Sequence, residues 1–269
     1  MRRTDLAMEQ IPNKTVNGVR VSTSDFVHTV EILTDQASES IGKPKGRYVT
    51  VSVENFCRTP SDFSSGVKRL AKVLSEFLPK NPNAPVLVVG LGNRMITPDA
   101  VGPLAAEKIL VTRHLQKLAH PSFPPLRSVC AVSPGVMGQT GIESSALVRR
   151  IADVAAGGCV IAIDALAAAE IERLLTTVQI CDTGICPGSG VGNSRAELSQ
   201  KTIGVPVIAV GVPTVTEILT EEAHTSMPMM ITPREIDQAV DHASHMISLA
   251  INCALHPNLT MEELSALIS

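Results

Sequence analysis

A chain of 269 residues, 44% of them hydrophobic, is long enough for one large domain or two small ones and for a sizeable core. Aromatic residues make up only 2%, so that core is built from Val, Ile, Leu and Ala, which suits a parallel sheet covered by helices. A net charge of −3 supplies no electrostatic pull towards nucleic acid, and no apolar run approaches the length of a membrane span.

Residues 1 to about 47 are polar and weakly periodic. Within them, residues 16–21 and 28–32 alternate as edge strands do, and 47–53 alternate more cleanly. Residues 61–77 have helical spacing, with Val67, Leu70, Ala71, Leu74 and Phe77 on one face. From Pro85 onward strands and helices alternate. Strands are predicted at 86–89, 127–132, 159–163, 177–180 and 205–210, with the fourth a candidate for antiparallel pairing. Helices are predicted at 101–118, 144–155 and 168–175. A final helix over 233–255 has Thr232 as N-cap and Pro233 in its first turn. This order predicts an α/β fold, a mostly parallel doubly wound sheet flanked by helices, with an N-terminal β-rich extension.

Ligand sites in open α/β sheets form outside the carboxyl ends of strands. Four segments here leave a strand for a glycine-rich or acidic loop: 90–102, 133–141 (SPGVMGQTG), 164–166 and 187–193 (PGSGVGN). Two of them carry a carboxylate, Asp99 and Asp164. Each also has a plain structural reading. TPD around Asp99 is a turn and cap signature, and Asp164 between a strand and an Ala-rich run suits a helix N-cap. If both acids reach one cleft, one serves as general base and the other as general acid, and the apolar flanks of Asp164 favour its protonated form. Phosphate binding fits less well. Gly90 and Gly92 lack the third glycine of a dinucleotide loop, and no G-x-x-x-x-G-K-[ST] is present. Serine-triad chemistry lacks a G-x-S-x-G elbow, and Ser189 has no evident histidine partner.

The six cysteines form no C-x-x-C pair. Cys159 reads as a small core residue, and Cys181 and Cys186 flank a turn without a histidine to complete a metal set. His242 and His245 share a face of the last helix and read as surface polar residues. No apolar signal segment opens the chain, so a reduced, cytoplasmic protein is expected.

Several blocks, in this order, resemble the spore germination protease family. They are RTDLAMEQ (3–10), GRYVT (46–50), VVGLGNRMITPDAVGP (88–103), TRHL (112–115), PGVMGQTGIES (134–144), IAIDALAA (161–168), PGSGVGN (187–193), GVPTV (211–215), and MMITPREID to NCALH (229–256). The resemblance covers nearly the whole chain. It implies an endopeptidase that degrades small acid-soluble proteins in germinating spores, located in the forespore and spore core. It implies a fold similar to the hydrogenase maturation proteases, with the catalytic core at 85–269 and the β-rich extension and helix at 6–84.

Two aspartates are regarded as catalytic in that family, and they match Asp99 and Asp164. Asn93 and the glycines Gly135, Gly138, Gly188, Gly190 and Gly192 become candidates for substrate contact or oxyanion stabilisation. The resemblance also implies a homotetramer and a self-processed zymogen. RTDLAMEQ matches the processing region, with the cut expected between Asp5 and Leu6 and a short pro-segment at 1–5. Between Thr220 and Met229 this chain is much shorter than typical members. No histidine stands in the glycine loops, so a metal-free acid pair without cofactor is expected. Partners are the spore-protein substrate and further copies of the chain, with no nucleic acid and no membrane. The rival readings are a metal-recognising endopeptidase of the hydrogenase-maturation type and a non-catalytic α/β binding module.

Overall fold

The computed structural model describes residues 3–11, 16–59, 61–117, 126–192, 195–220 and 227–268. Apolar runs that alternate or stay fully buried become nine strands. The N-terminal part supplies β1 (Val19–Ser24), β2 (Val27–Ile32) and β3 (Gly46–Ser52), then β4 (Val86–Gly90) and β5 (Val129–Val132). The remainder are β6 (Cys159–Ala168), β7 (Thr177–Cys181), β8 (Val207–Thr220) and β9 (Met227–Ile231). They form one sheet in the order β1-β2-β3-β7-β8-β6-β4-β5, with β9 added alongside the outer part of β8. Strands β5, β4, β6 and β8 are mutually parallel. The N-terminal meander and β7 join antiparallel, as does β9, so the whole sheet is mixed around a parallel centre.

Among the described residues there are eight α-helices: α1 (Asp35–Ile41), α2 (Phe63–Phe77), α3 (Val101–Glu107), α4 (Met137–Thr140), α5 (Ser144–Ile151), α6 (Gln200–Ile203), α7 (Ile236–Leu255) and α8 (Met261–Leu267). One face buries Val88, Ile161, Ile163, Val178 and Val210 against Leu70 and Leu74 of α2, Val101 of α3 and Ile247 of α7. The other buries Leu87, Val89, Val160 and Ala162 against Val148 of α5 and Ile203 of α6. Burial on both faces explains why β4 and β6 read as continuous apolar runs. Cys159 is buried in this core, where loss of solvent pushes its thiol up to about 12.

Four sequence expectations need correction. The strand at 159–163 continues through Asp164 to Ala168, and the expected helix at 168–175 is reduced to a 3-10 turn, Ile171–Arg173. Alanines favour helix, but residues 164–168 pair with 211–216 of β8, and that tertiary pairing overrides the propensity. The helix expected at 101–118 stops at Glu107, followed by a 3-10 segment, Arg113–Lys117, and Leu118 lies outside the described residues. The helix over 144–155 tightens to 3-10 after Ile151. Helix α7 starts at Ile236 after Glu235, and Thr232, the expected cap, instead donates its hydroxyl to Thr214 O at 2.8 Å.

Asn252 shows what terminates α3. Its Oδ1 accepts from Leu110 N and its Nδ2 donates to Lys108 O, both at 2.9 Å, although the residue is fully buried in α7. Asn252→Leu orphans the part-buried Leu110 N–H and Lys108 carbonyl, so urea unfolding should register a loss of about 1–3 kcal/mol.

Candidate active site

Asp99 is delivered by the chain that leaves β4. Gly92 lies at φ 111°, a conformation glycine tolerates, and a Cβ there would overlap the carbonyl of Asp99. The loop therefore folds back so that Asn93 N donates to Asp99 Oδ2 at 2.7 Å. A 3-10 turn, Thr97–Asp99, ends the loop, and Thr214 Oγ1 pins it by donating to Pro98 O at 2.7 Å. Asn93 Oδ1 accepts from Met95 N at 2.9 Å and from Gln139 Nε2 at 2.6 Å. Asn93 thus orients Asp99 through its amide and ties the loop to α4.

Asp164 sits inside β6 and is 4% exposed, opposite Gly211 of β8. It caps no helix; its Oδ1 accepts from Ala165 N at 2.9 Å. Burial pushes its carboxyl well above the usual carboxylate range, and the neighbouring Asp99 and Asp5 push the same way. Burial also raises Asp99, opposed by the hydrogen bond from Asn93 N. Of the two, Asp164 is the more deeply buried, so a single proton resides there by preference.

Both acids line one cleft of about 520 Å³, together with Asn93, Gly138, Gly188 and Gly190 among the expected residues. Gly135 and Gly192 do not line it. Gly135, at φ 70°, accepts from Ser144 Oγ at 2.8 Å, and a Cβ on Gly192 would overlap the Arg3 guanidinium. The 187–193 loop does not leave the shared carboxyl edge, because β7 is antiparallel. Its Pro187, Gly188 and Gly190 nevertheless line the cleft, and Asn193 lies outside the described residues. Arg195 and Glu143, at 3.9 Å, face each other across the cleft wall.

The occupant of the glycine loop is the N-terminal segment. Asp5 N donates to Ala167 O at 2.9 Å, and Asp5 Oδ2 accepts from Ala167 N at 2.9 Å. Ser189 Oγ donates to Asp5 Oδ1 at 2.7 Å, and Gly190 is so close that a Cβ would strike that carboxylate. Leu6 is fully buried against Leu166, Ala168 and Leu174. Glu9 accepts from Ala169 N and Glu170 N at 2.8 and 3.0 Å and also bonds Thr4 Oγ1. No local pattern in the sequence signals this long-range docking.

Among the described residues, no group of three His, Cys, Asp or Glu is placed to hold a metal ion. His242 Nδ1 lies 2.9 Å from Phe56 O, in the segment before α2, and His245 packs its ring against Phe63 at the start of α2; neither lines the cleft. No helix of the described residues is long and apolar enough to cross a membrane.

The family model for germination protease matches residues 2–226. A germination protease of Caldanaerobacter subterraneus is 36% identical over 322 residues, covering 99% of this chain and 98% of its own. One of Clostridium acetobutylicum is 37% identical over 326 residues, with 99% of each chain covered. Both spans exceed the 269 residues here, so those relatives carry segments with no counterpart in this chain. One of Bacillus mycoides is 46% identical over 239 residues, 83% of this chain and 65% of its own. A solved NiFe hydrogenase maturation protease of Thermococcus kodakarensis matches with a TM-score of 0.38 and 16% identity, over 66% of this chain and 98% of that one; a likeness that slight carries no functional weight. The chain belongs to the germination protease family and is a peptidase.

Proposed function

We propose that the Asp99–Asp164 pair hydrolyses peptide bonds in small acid-soluble spore proteins at germination, and that the chain first cuts itself between Asp5 and Leu6. The observation that carries this reading is the convergence of Asp99, Asp164 and Asp5 on one cleft from three separate segments. Asp99, the more exposed acid, is the ionised base that takes a proton from water. Asp164, held neutral by burial, donates to the carbonyl oxygen or the leaving amine. The enzyme acts in the spore core, as a homotetramer, and residues 1–5 form the pro-segment. Residues 221–226, in the region shortened relative to typical members, lie outside the described residues and take no part in this reading.

The test is incubation of the full-length protein with an acid-soluble spore protein, following both by mass spectrometry and N-terminal sequencing. Expected are loss of residues 1–5 and endoproteolysis of the added protein. Intact substrate alongside an uncut chain would instead favour the non-catalytic binding module. Asp5→Ala removes two charge-assisted hydrogen bonds that fix the N-terminal segment. Self-cleavage should slow by at least roughly ten- to hundredfold, the loss expected from either bond alone. Wild-type processing in that variant would mean the docked segment is not the one that is cut.

A further inference from the structure

The carbonyl oxygen of Asp5 accepts two side-chain hydrogen bonds. Lys43 Nζ, from the loop between α1 and β3, lies 3.0 Å away, and Gln179 Nε2, from β7, lies 3.1 Å away. Gln179 also uses its other amide atom, its Oε1 accepting from Ala7 N at 2.8 Å. One buried side chain thus holds the chain on both sides of the Asp5–Leu6 peptide. The N–H of Asp5 is held from the opposite side by Ala167 O, on the strand that carries Asp164.

Sheet register relates this grip to the acids. Gln179 pairs with Gly211, and Gly211 pairs with Asp164. Gln179 and Asp164 therefore lie in one row and on one face, with backbones roughly 10 Å apart at two strand spacings. The residue between them has no side chain of its own. The Leu166 side chain fills the space above it, so the amide donor and the carboxyl stand on either side of Leu166.

We propose that Lys43 and Gln179 are the carbonyl-polarising pair of this peptidase, for its own Asp5–Leu6 bond and for the equivalent carbonyl of an added peptide. The inference rests on the reading that the aspartate pair hydrolyses that bond, and it displaces the 188–192 amides from the oxyanion role. Those of Ser189 and Gly192 are already spent on Cys186 O and Ser189 O. In the step itself, the water oxygen bonds to the Asp5 carbonyl carbon while one water proton passes to the base. The carbonyl π pair moves to the oxygen, where the Lys43 ammonium and the Gln179 amide meet the developing charge. Collapse breaks the C–N bond, the Leu6 nitrogen takes a proton from the acid, and Asp5 leaves with a new carboxylate. One water is consumed.

The test compares wild type, Lys43→Met, Lys43→Arg, Gln179→Glu and Asp164→Asn as full-length chains. Single-turnover self-processing is followed by mass spectrometry. The processed enzymes are then assayed on a synthetic peptide of residues 1–11. Lys43→Met and Gln179→Glu should each lower the processing rate and kcat about 10²–10³-fold, with KM changed far less, because the donors act on charge that develops in the transition state. Lys43→Arg, which keeps a cationic donor, should recover part of the loss. Thermal melts establish that each variant is folded; should Gln179→Glu not fold, the Lys43 series decides alone. The proposal is overturned if the Lys43 variants process within threefold of wild type, if the loss lies wholly in KM, or if wild type cuts at another bond. Cleavage by Asp164→Asn would bring down the aspartate reading instead, whatever the Lys43 variants do.

Discussion

Asp164→Asn should give a folded protein whose rate of cleaving an acid-soluble spore protein is lower by at least about 10²–10⁴-fold, the usual contribution of one positioned acid or base. Asp99→Asn should do the same. The two variants differ in stability, however. The Asp164 carboxyl is nearly solvent-free and its affinity for a proton is raised on folding. In the range between its unfolded value, about 4, and the raised folded value, the native state holds a proton that the unfolded chain has released. The contribution of this group is therefore complete below the unfolded value and declines as pH rises towards the folded one. Asparagine mimics the neutral acid without titrating. Asp164→Asn should accordingly melt above wild type at pH 7, with the difference closing near pH 4. A variant less stable than wild type at pH 7 would show that the acid is held ionised.

The second large effect comes from a residue with no side chain. Gly102 lies in the first turn of α3, and a Cβ there would overlap Leu91 O, Ile163 O and Leu91 N. All three are backbone atoms at the junction of β4 and β6, where Leu91 N already donates to Ile163 O at 2.8 Å. None can rotate away, so Gly102→Ala must move the helix. Overpacking of this kind costs about 3 kcal/mol, or roughly 6–12 °C in melting temperature for a chain this size. Activity should fall further than the folded fraction does, because Asp99 immediately precedes α3 and a displacement of about 1 Å is worth about 10²-fold. Gly138→Ala is the control: no atom lies within contact of the added methyl, and stability should stay within about 0.5 kcal/mol of wild type. An unchanged melt for Gly102→Ala would mean that the helix–sheet contact is looser than its geometry indicates.

Both acids were legible in the chain because each follows a buried apolar run, and position after such a run is what the parallel centre of the sheet converts into proximity. Helix α1 carries local signals as well: Thr34 caps it by accepting from Ala37 N, and Gly42 ends it in the left-handed region. The continuation of β6 was not, since ALAA has the local preference of a helix and only the partner strand β8 reverses it. Docking of Asp5 on Ala167 leaves no periodic trace, as it joins residues far apart in sequence through single hydrogen bonds. Gln179 looked like an ordinary polar residue alternating within a strand, and Lys43 like a surface cation near a turn. Their common partner is a backbone carbonyl, a group every residue carries, so nothing in residue type announces it.

Strand β6 outruns its neighbour β4. Their pairing ends at Gly90 and Ile163, whereas β6 continues to Ala168. Beyond Ile163, among the described residues, no strand pairs on that side; instead the N-terminal segment takes the row of main-chain groups, Asp5 at Ala167 and Glu9 at Ala169 and Glu170. A protease built on such a row selects by conformation before it selects by side chain. It admits polypeptide whose own amides and carbonyls are free, in tails, linkers and unfolded chains, and it turns away segments already committed to helix or sheet. The tethered N-terminus meets that requirement at an effective concentration on the order of millimolar. Under the proposed self-cleavage, any other chain would have to outcompete it until the tether is severed.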